Sequence, residues 1–365
     1  MLAAMIYLDN QATTPLAPEA REAMLRWLGG PGTDGFGNPH SPHRLGRLAH
    51  AAVEAAREQV AALLPSGGQV IFTSGATEAI NLAMRGLPGS GPIAFSAIEH
   101  SAVSHTARAL GPVHELPVTR DGICEADQPL APSTRLVAVM QVNNEIGTIQ
   151  PVAEWHRRAG AAGALLLCDG VQAYGKLPLA SADLIAVSAH KIYGPKGIGA
   201  LWVRDGAMLE CVSTGGAQEG GLRSGTLSPA LIAGFGAAAA LAAQRMEADR
   251  AHLAGLWARA RELFGGWELN GSAVHRWPGN LNLRLPKERG VLDVGRLISD
   301  CRQVMFSAGS ACASEDGQPS HVLSAIGLDA ADAKASIRLG LGRYTTISEL
   351  EVAAETIINA ASQQG

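Results

Sequence analysis

Only five of the 29 basic residues in this 365-residue chain are lysines, and only 4% of its residues are aromatic. Nor is there a surplus of positive charge: the net charge is −4, with a pI near 6.3. Without a basic stripe to track a phosphate backbone, direct nucleic-acid binding is not expected. The five cysteines, Cys124, Cys168, Cys211, Cys301 and Cys312, lie far apart. An odd count with no CxxC pair argues against both a disulfide framework and a zinc knuckle, so no intrinsic metal site is expected. Long apolar runs are also missing. The stretch from Ala230 to Ala243 contains glycines, stops at Gln244, and falls short of the roughly 20 residues that a bilayer span requires. The opening MLAAMIYLDNQATTP has no basic region followed by an apolar core and a cleavage site. It therefore reads as mature sequence, and a cytoplasmic location is expected.

What is present is glycine, 43 residues of it, within a composition that is 47% hydrophobic. Small residues in this abundance suit helices packed closely on a sheet better than a β-sandwich or a disordered chain. From Leu45 to Leu64 apolar residues recur at helical spacing, with Glu54, Arg57 and Glu58 on another face. Short apolar runs bounded by turn residues follow: QVIFT (69–73), PIAFS (92–96), LVAVMQ (136–141), ALLLC (164–168), LIAVS (184–188) and GALWV (199–203). Nearly unbroken apolar strands alternating with helices are what a parallel sheet covered on both faces needs, so the class is α/β. An Ala-rich helix from about Pro229 to Ala260 leads to a second unit. That unit contains strand-like NLNLRL (280–285), helix-like VLDVGRLIS and, near the end, SIRLGLG. The expected division is a large domain over 14–243 and a smaller α+β domain over 1–13 and 244–365.

In an open α/β sheet, ligands bind beyond the carboxyl ends of the strands. Polar residues collect there in this sequence. QVIFT leads into Ser74-Gly75-Ala76-Thr77-Glu78, PIAFS into Glu99-His100, LVAVMQ into Asn143-Asn144-Glu145, ALLLC into Asp169-Gly170-Val171-Gln172, and LIAVS into His190-Lys191. A lysine directly after a buried strand is costly unless it is neutralised or used covalently, and a Schiff base does both. Pyridoxal phosphate needs such a lysine, a carboxylate to keep its pyridine nitrogen protonated, and N–H groups with hydroxyls to hold its phosphate. Lys191, Asp169 and Gly75 to Thr77 can fill these three roles.

The segments YLDNQATTP, FGNPHSPHRLGR, VIFTSGATEAINLA, EHSAV, QVNNEIGTIQP, DGVQAYGKLP, SAHKIYGPKGIGALWV, GGLRSGTLSPALIAGFG, SAGSACAS and SIRLGLGRYTT resemble those of the NifS/IscS-type cysteine desulfurases. These belong to the class V pyridoxal-phosphate-dependent aminotransferase superfamily. The resemblance runs from residue 6 to about 350. It implies fold type I, with a mainly parallel seven-stranded sheet in the large domain. It also implies roles: Lys191 carries the cofactor, Asp169 pairs with the pyridine nitrogen, Gln172 bonds the ring hydroxyl, and His100 stacks on the ring and moves protons. Ala76, Thr77, Ser188 and His190 hold the phosphate, joined by Thr226 of a second subunit, which makes the protein a homodimer. Asn144 lies beside the cofactor, and Asn38 and Arg338 receive the substrate carboxylate.

Cys312, in a loop of small residues at about 306–320, would be the catalytic thiol that takes sulfur from L-cysteine, leaving L-alanine and a persulfide. The resemblance implies sulfur supply to an iron–sulfur scaffold or to a tRNA-thiolation relay. In that exchange Cys312 could transiently ligate a cluster shared with the scaffold. The chain stops at Gly365, short of the C-terminal tail with which some relatives grip a scaffold, and its Glu315-Asp316-Gly317-Gln318 loop is acidic. Both features are expected to affect partner choice. Alternatives are a selenocysteine lyase, another class V enzyme such as an aminotransferase, and a non-catalytic dimerisation platform. A transaminase has no use for Cys312, and a platform has none for Lys191, Asp169, His100 and Cys312 together.

Overall fold

The protein is described by a computed structural model covering residues 5–309 and 319–364. Up to residue 204 the strands are β1 (Ile6–Tyr7), β2 (Gly68–Thr73), β3 (Ile93–Ser96), β4 (Val113–Leu116), β5 (Leu136–Ala138), β6 (Leu165–Asp169), β7 (Leu184–Ser188) and β8 (Gly199–Arg204). All but β1 join one seven-stranded sheet in the order β2-β8-β7-β6-β5-β3-β4. The helices α1 (Pro18–Leu25), α2 (Arg44–Ala61), α3 (Ala76–Gly86), α4 (Ser101–Leu110), α5 (Val152–Ala161) and α6 (Pro229–Leu263) accompany it.

Successive strand side chains point to opposite faces, and here both faces are apolar. Phe72, Leu166 and Trp202 join one buried cluster with Trp155 and Phe235. Their sequence neighbours Ile71, Leu167 and Leu201 join another with Ile80, Met84 and Val103. This double burial explains why the strands read as continuous hydrophobic runs. It also leaves the strand ends as the place where polar side chains can gather.

The sheet is mainly parallel, as expected, but not wholly so. β8 is antiparallel to both β7 and β2, while the remaining pairs are parallel. The cause is chain length: only residues 189–198 join β7 to β8, too few for the crossover of a dozen or more residues that parallel pairing requires. β4 is a further edge strand that the apolar-run pattern does not mark, because VHEL is largely exposed.

Helix α6 is continuous, with no break at residue 244. Its early residues Ile232, Phe235 and Ala239 pack in the cluster with Trp155. Its later ones, Leu253, Leu256 and Ala260, pack with Leu281, Leu339 and Ile357. Here β9 (Glu268–Leu269), β10 (Asn280–Arg284), β12 (Ser307–Ala308) and β13 (Ser336–Gly340) form an antiparallel sheet, with β11 (Val304–Met305) paired to β1. Among the described residues no helix is long and apolar enough to cross a membrane.

One close approach shapes the future site. A Cβ on Gly199 would lie 2.5 Å from the Val187 carbonyl oxygen and 2.8 Å from Gly75 Cα. Gly199→Ala should therefore cost about 1–3 kcal/mol in urea unfolding. Gly160→Ala, whose Cβ meets nothing within 4 Å, should leave stability unchanged or slightly raised. Equal midpoints for the two variants would contradict this packing.

Candidate active site

The polar ends of β2, β3, β5, β6 and β7 converge on a pocket of about 630 Å³. Lys191 closes the short turn that follows β7. Its Nζ donates to the carbonyl oxygens of Gln11 at 2.6 Å and Ala12 at 2.7 Å. The segment Asp9–Thr14 thus reaches the site from the other end of the chain. It is tied down on both sides: the Thr14 hydroxyl donates to the His190 carbonyl at 2.9 Å, and the Asn10 amide donates to the Gly340 carbonyl at 2.8 Å.

Asp169 ends β6 and is 7% exposed. Its Oδ1 accepts the Val171 N–H at 3.0 Å, so it also caps the turn it opens. Burial pushes its pKa up, while His100, that backbone N–H and Lys191 pull it back. Gln172 donates through Nε2 to the Gln11 carbonyl at 3.0 Å.

His100 is the N-cap of α4, and its Nδ1 accepts the Ala102 N–H at 3.1 Å. Burial lowers its pKa, which makes the ring neutral near pH 7. With Nδ1 committed as an acceptor, the proton of the neutral ring resides on Nε2. His190 is also neutral, pushed down to about 4 by burial and by Lys191, Lys196 and Lys176. Its Nδ1 lies 3.1 Å from the Thr13 hydroxyl.

Helix α3 begins at Ala76 behind Gly75 with no side-chain cap. Its first-turn N–H groups, next to Ala76 and Thr77, therefore face the pocket as a ready anion cradle. Asn144, Ser188 and Arg338 complete the lining. Arg338 is 1% exposed and pairs with Asp9 at 2.7 Å, while its Nη1 donates to the Asn144 carbonyl at 3.3 Å. Its Nε is buried without a hydrogen-bond partner.

Most of the residues singled out in the sequence thus share one pocket: Ala76, Thr77, His100, Asn144, Asp169, Gln172, Ser188, His190, Lys191 and Arg338. Asn38 is exposed outside it, with Oδ1 accepting the His40 N–H at 2.9 Å. Thr226 is exposed as well and does not line the pocket of its own chain. Cys312 lies outside the described residues. The chain on the far side of that segment is anchored at the site, since His321 Nε2 lies 2.9 Å from the Glu99 carbonyl. Gln11, Ala12, Thr13 and Asp9 carry contacts that strand-end reasoning misses. The signals for them are the polar run DNQATT directly after the apolar IYL and the place of YLDNQATTP among the segments that carry the family resemblance.

The family model described as aminotransferase class V matches residues 6–352. The mitochondrial cysteine desulfurase of Eremothecium gossypii is 41% identical, over 96% of this chain and 75% of its own. Among solved structures, a NifS-like protein superposes with a TM-score of 0.88 at 30% identity, covering 98% of this chain and 100% of the other. SspA, solved in complex with cysteine, gives a TM-score of 0.81 at 33% identity, over 93% of this chain and all of its own. The chain belongs to the class V aminotransferase family, within its cysteine desulfurase group.

The family implies pyridoxal phosphate as cofactor, and the pocket fits it. Asp169 is a buried carboxylate with no lysine or arginine ion pair among the described residues. A protonated pyridine nitrogen is the kind of cation it lacks. The uncapped start of α3 is suited to a phosphate, and Lys191 lines the same pocket.

Because burial raises the Asp169 pKa, the apoprotein binds this proton more tightly than the unfolded chain does. Between the ordinary carboxylate pKa and the raised one, this contribution to apoprotein stability falls as pH rises. At pH 7 the neutral variant Asp169→Asn should then stabilise the apoprotein by about 1 kcal/mol while weakening pyridoxal phosphate binding. Calorimetry of both forms checks this, and an apoprotein destabilised by the change would contradict it.

Proposed function

We infer that the protein is a pyridoxal-phosphate-dependent cysteine desulfurase, which converts L-cysteine to L-alanine and passes the sulfur to Cys312. The observation that carries this reading is the meeting of Lys191, Asp169, His100, Gln172 and Arg338 in one pocket at the uncapped start of α3. Lys191 would hold the cofactor, Asp169 would serve its ring nitrogen, and Gln172 would bond its ring oxygen. Ala76, Thr77, Ser188 and His190 would hold its phosphate, and Asn144, in the same pocket, would assist. When bound, pyridoxal phosphate supplies an electron sink that stabilises negative charge at the substrate Cα.

The chain's own residues do the rest. Arg338, which lines the pocket, receives the substrate carboxylate, a group that a guanidinium suits, and to do so it exchanges contacts now made to Asp9 and the Asn144 carbonyl. The Lys191 amine takes the Cα proton at Nζ and later returns a proton to carbon. His100 donates from Nε2 toward the substrate sulfur, since its Nδ1 is already engaged. The Cys312 thiolate attacks that sulfur. The C–S bond breaks, its electrons remain with the carbon skeleton, and protonation there yields alanine. Cys312 is left as a persulfide. Asn38 assists at the carboxylate, and Thr226 reaches the phosphate of a second subunit in a homodimer. The sulfur goes on to an iron–sulfur scaffold or another acceptor protein in the cytoplasm.

The test uses purified protein, L-cysteine and a reductant, with alanine and sulfide quantified together. Cys312→Ala and Lys191→Ala should each release no sulfide above background. The visible absorption band of the cofactor should survive in Cys312→Ala and vanish in Lys191→Ala. Undiminished sulfide release from Cys312→Ala would refute the sulfur-acceptor role. Selenocysteine turned over in strong preference to cysteine would favour the lyase instead.

A further inference from the structure

Lys176 has no part in the chemistry just described, yet it touches one of its residues. After β6 the chain makes two helical turns, with Tyr174 and Leu177 donating back to the carbonyls of Gly170 and Ala173 at 2.8 and 2.9 Å. That winding puts residues four apart on the same side. Lys176 Nζ accordingly donates to Gln172 Oε1 at 3.0 Å. Gln172 Nε2 in turn donates at 3.0 Å to the Gln11 carbonyl, the same oxygen that accepts Lys191 Nζ at 2.6 Å. Burial and the charge of Lys191 push the Lys176 pKa down to about 7, and no carboxylate offsets them. A lysine is therefore kept here against an electrostatic cost.

A carboxamide is nearly symmetric in shape, and its two ends differ only in whether they donate or accept. An ammonium has donors alone. We propose that Lys176 is a positioning residue that holds the Gln172 carboxamide in one orientation, with Oε1 turned to Lys176 and the N–H groups turned toward the ring oxygen of the cofactor. The proposal rests on the cofactor assignment made above. Without Lys176 the carboxamide is oriented by the Gln11 carbonyl alone, and it turns more readily to offer its oxygen to the ring oxygen, exchanging an attractive contact for a repulsive one.

The experiment is a double-mutant cycle on the affinity of the apoprotein for pyridoxal phosphate, with urea stability of each apoprotein measured alongside. Lys176→Met keeps the length and removes the donor. It should bind the cofactor about fivefold more weakly, the loss expected of one misdirected hydrogen bond, while its apoprotein unfolds at an unchanged or higher urea concentration. In the Gln172→Leu background the same change should weaken binding less than twofold, because there is no carboxamide left to orient. Equal weakening in both backgrounds would overturn the proposal, as would unchanged affinity in Lys176→Met. Failure of the wild-type apoprotein to take up the cofactor strikes the parent assignment and this one with it. Uptake by the wild type combined with additive effects strikes this one alone.

Discussion

The site depends on two hydrogen bonds that join the Lys191 ammonium to the backbone carbonyls of Gln11 and Ala12. They connect positions about 180 residues apart and bring the segment Asp9–Thr14 across the mouth of the sheet. From there the same segment reaches Arg338 through Asp9, Gly279 through the Gln11 amide, and His190 and Tyr193 through Thr14. Backbone carbonyls are well suited to this work. They hold a lysine by its N–H groups without themselves supplying a negative charge, so the amine is positioned by the backbone.

The electrostatics of the pocket follow from burial. Asp169 is pushed toward protonation, and His100 and His190 toward neutrality. Each shift marks a group that has lost water and not fully regained a partner of opposite charge. A site in that condition has spare capacity for a ligand carrying both signs, and pyridoxal phosphate carries both: a cationic ring nitrogen and an anionic phosphate. Arg338 differs. Asp9 already balances its charge, and only Nε is left without a partner. The pocket thus holds a buried guanidinium whose charge is already balanced.

Much of this was legible in the sequence, and the reasons are physical. Strands buried on both faces must be apolar throughout, so each polar residue just after such a run stands out. His100, Asp169 and Lys191 were all visible in this way. The geometry of β8 was less visible, because the run GALWV looks the same whichever direction it pairs. Only the short connection from β7 argues for antiparallel pairing. The roles of Gln11 and Ala12 were hidden for a different reason: they act through their carbonyls, which every residue possesses, and no residue type marks them. Lys176 was visible as a rare lysine, but its partner could be found only once the turn after β6 placed Gln172 four residues behind it.

The central claim is that position 191, among the three lysines grouped around this site, is the one that holds the cofactor. It is tested most directly by reducing the pyridoxal-phosphate-loaded protein with borohydride and mapping the modified peptide by mass spectrometry. The account predicts a single pyridoxyl phosphate adduct on the peptide that contains Lys191, with Lys176 and Lys196 unmodified. An adduct on either of those lysines, with Lys191 intact, would contradict it.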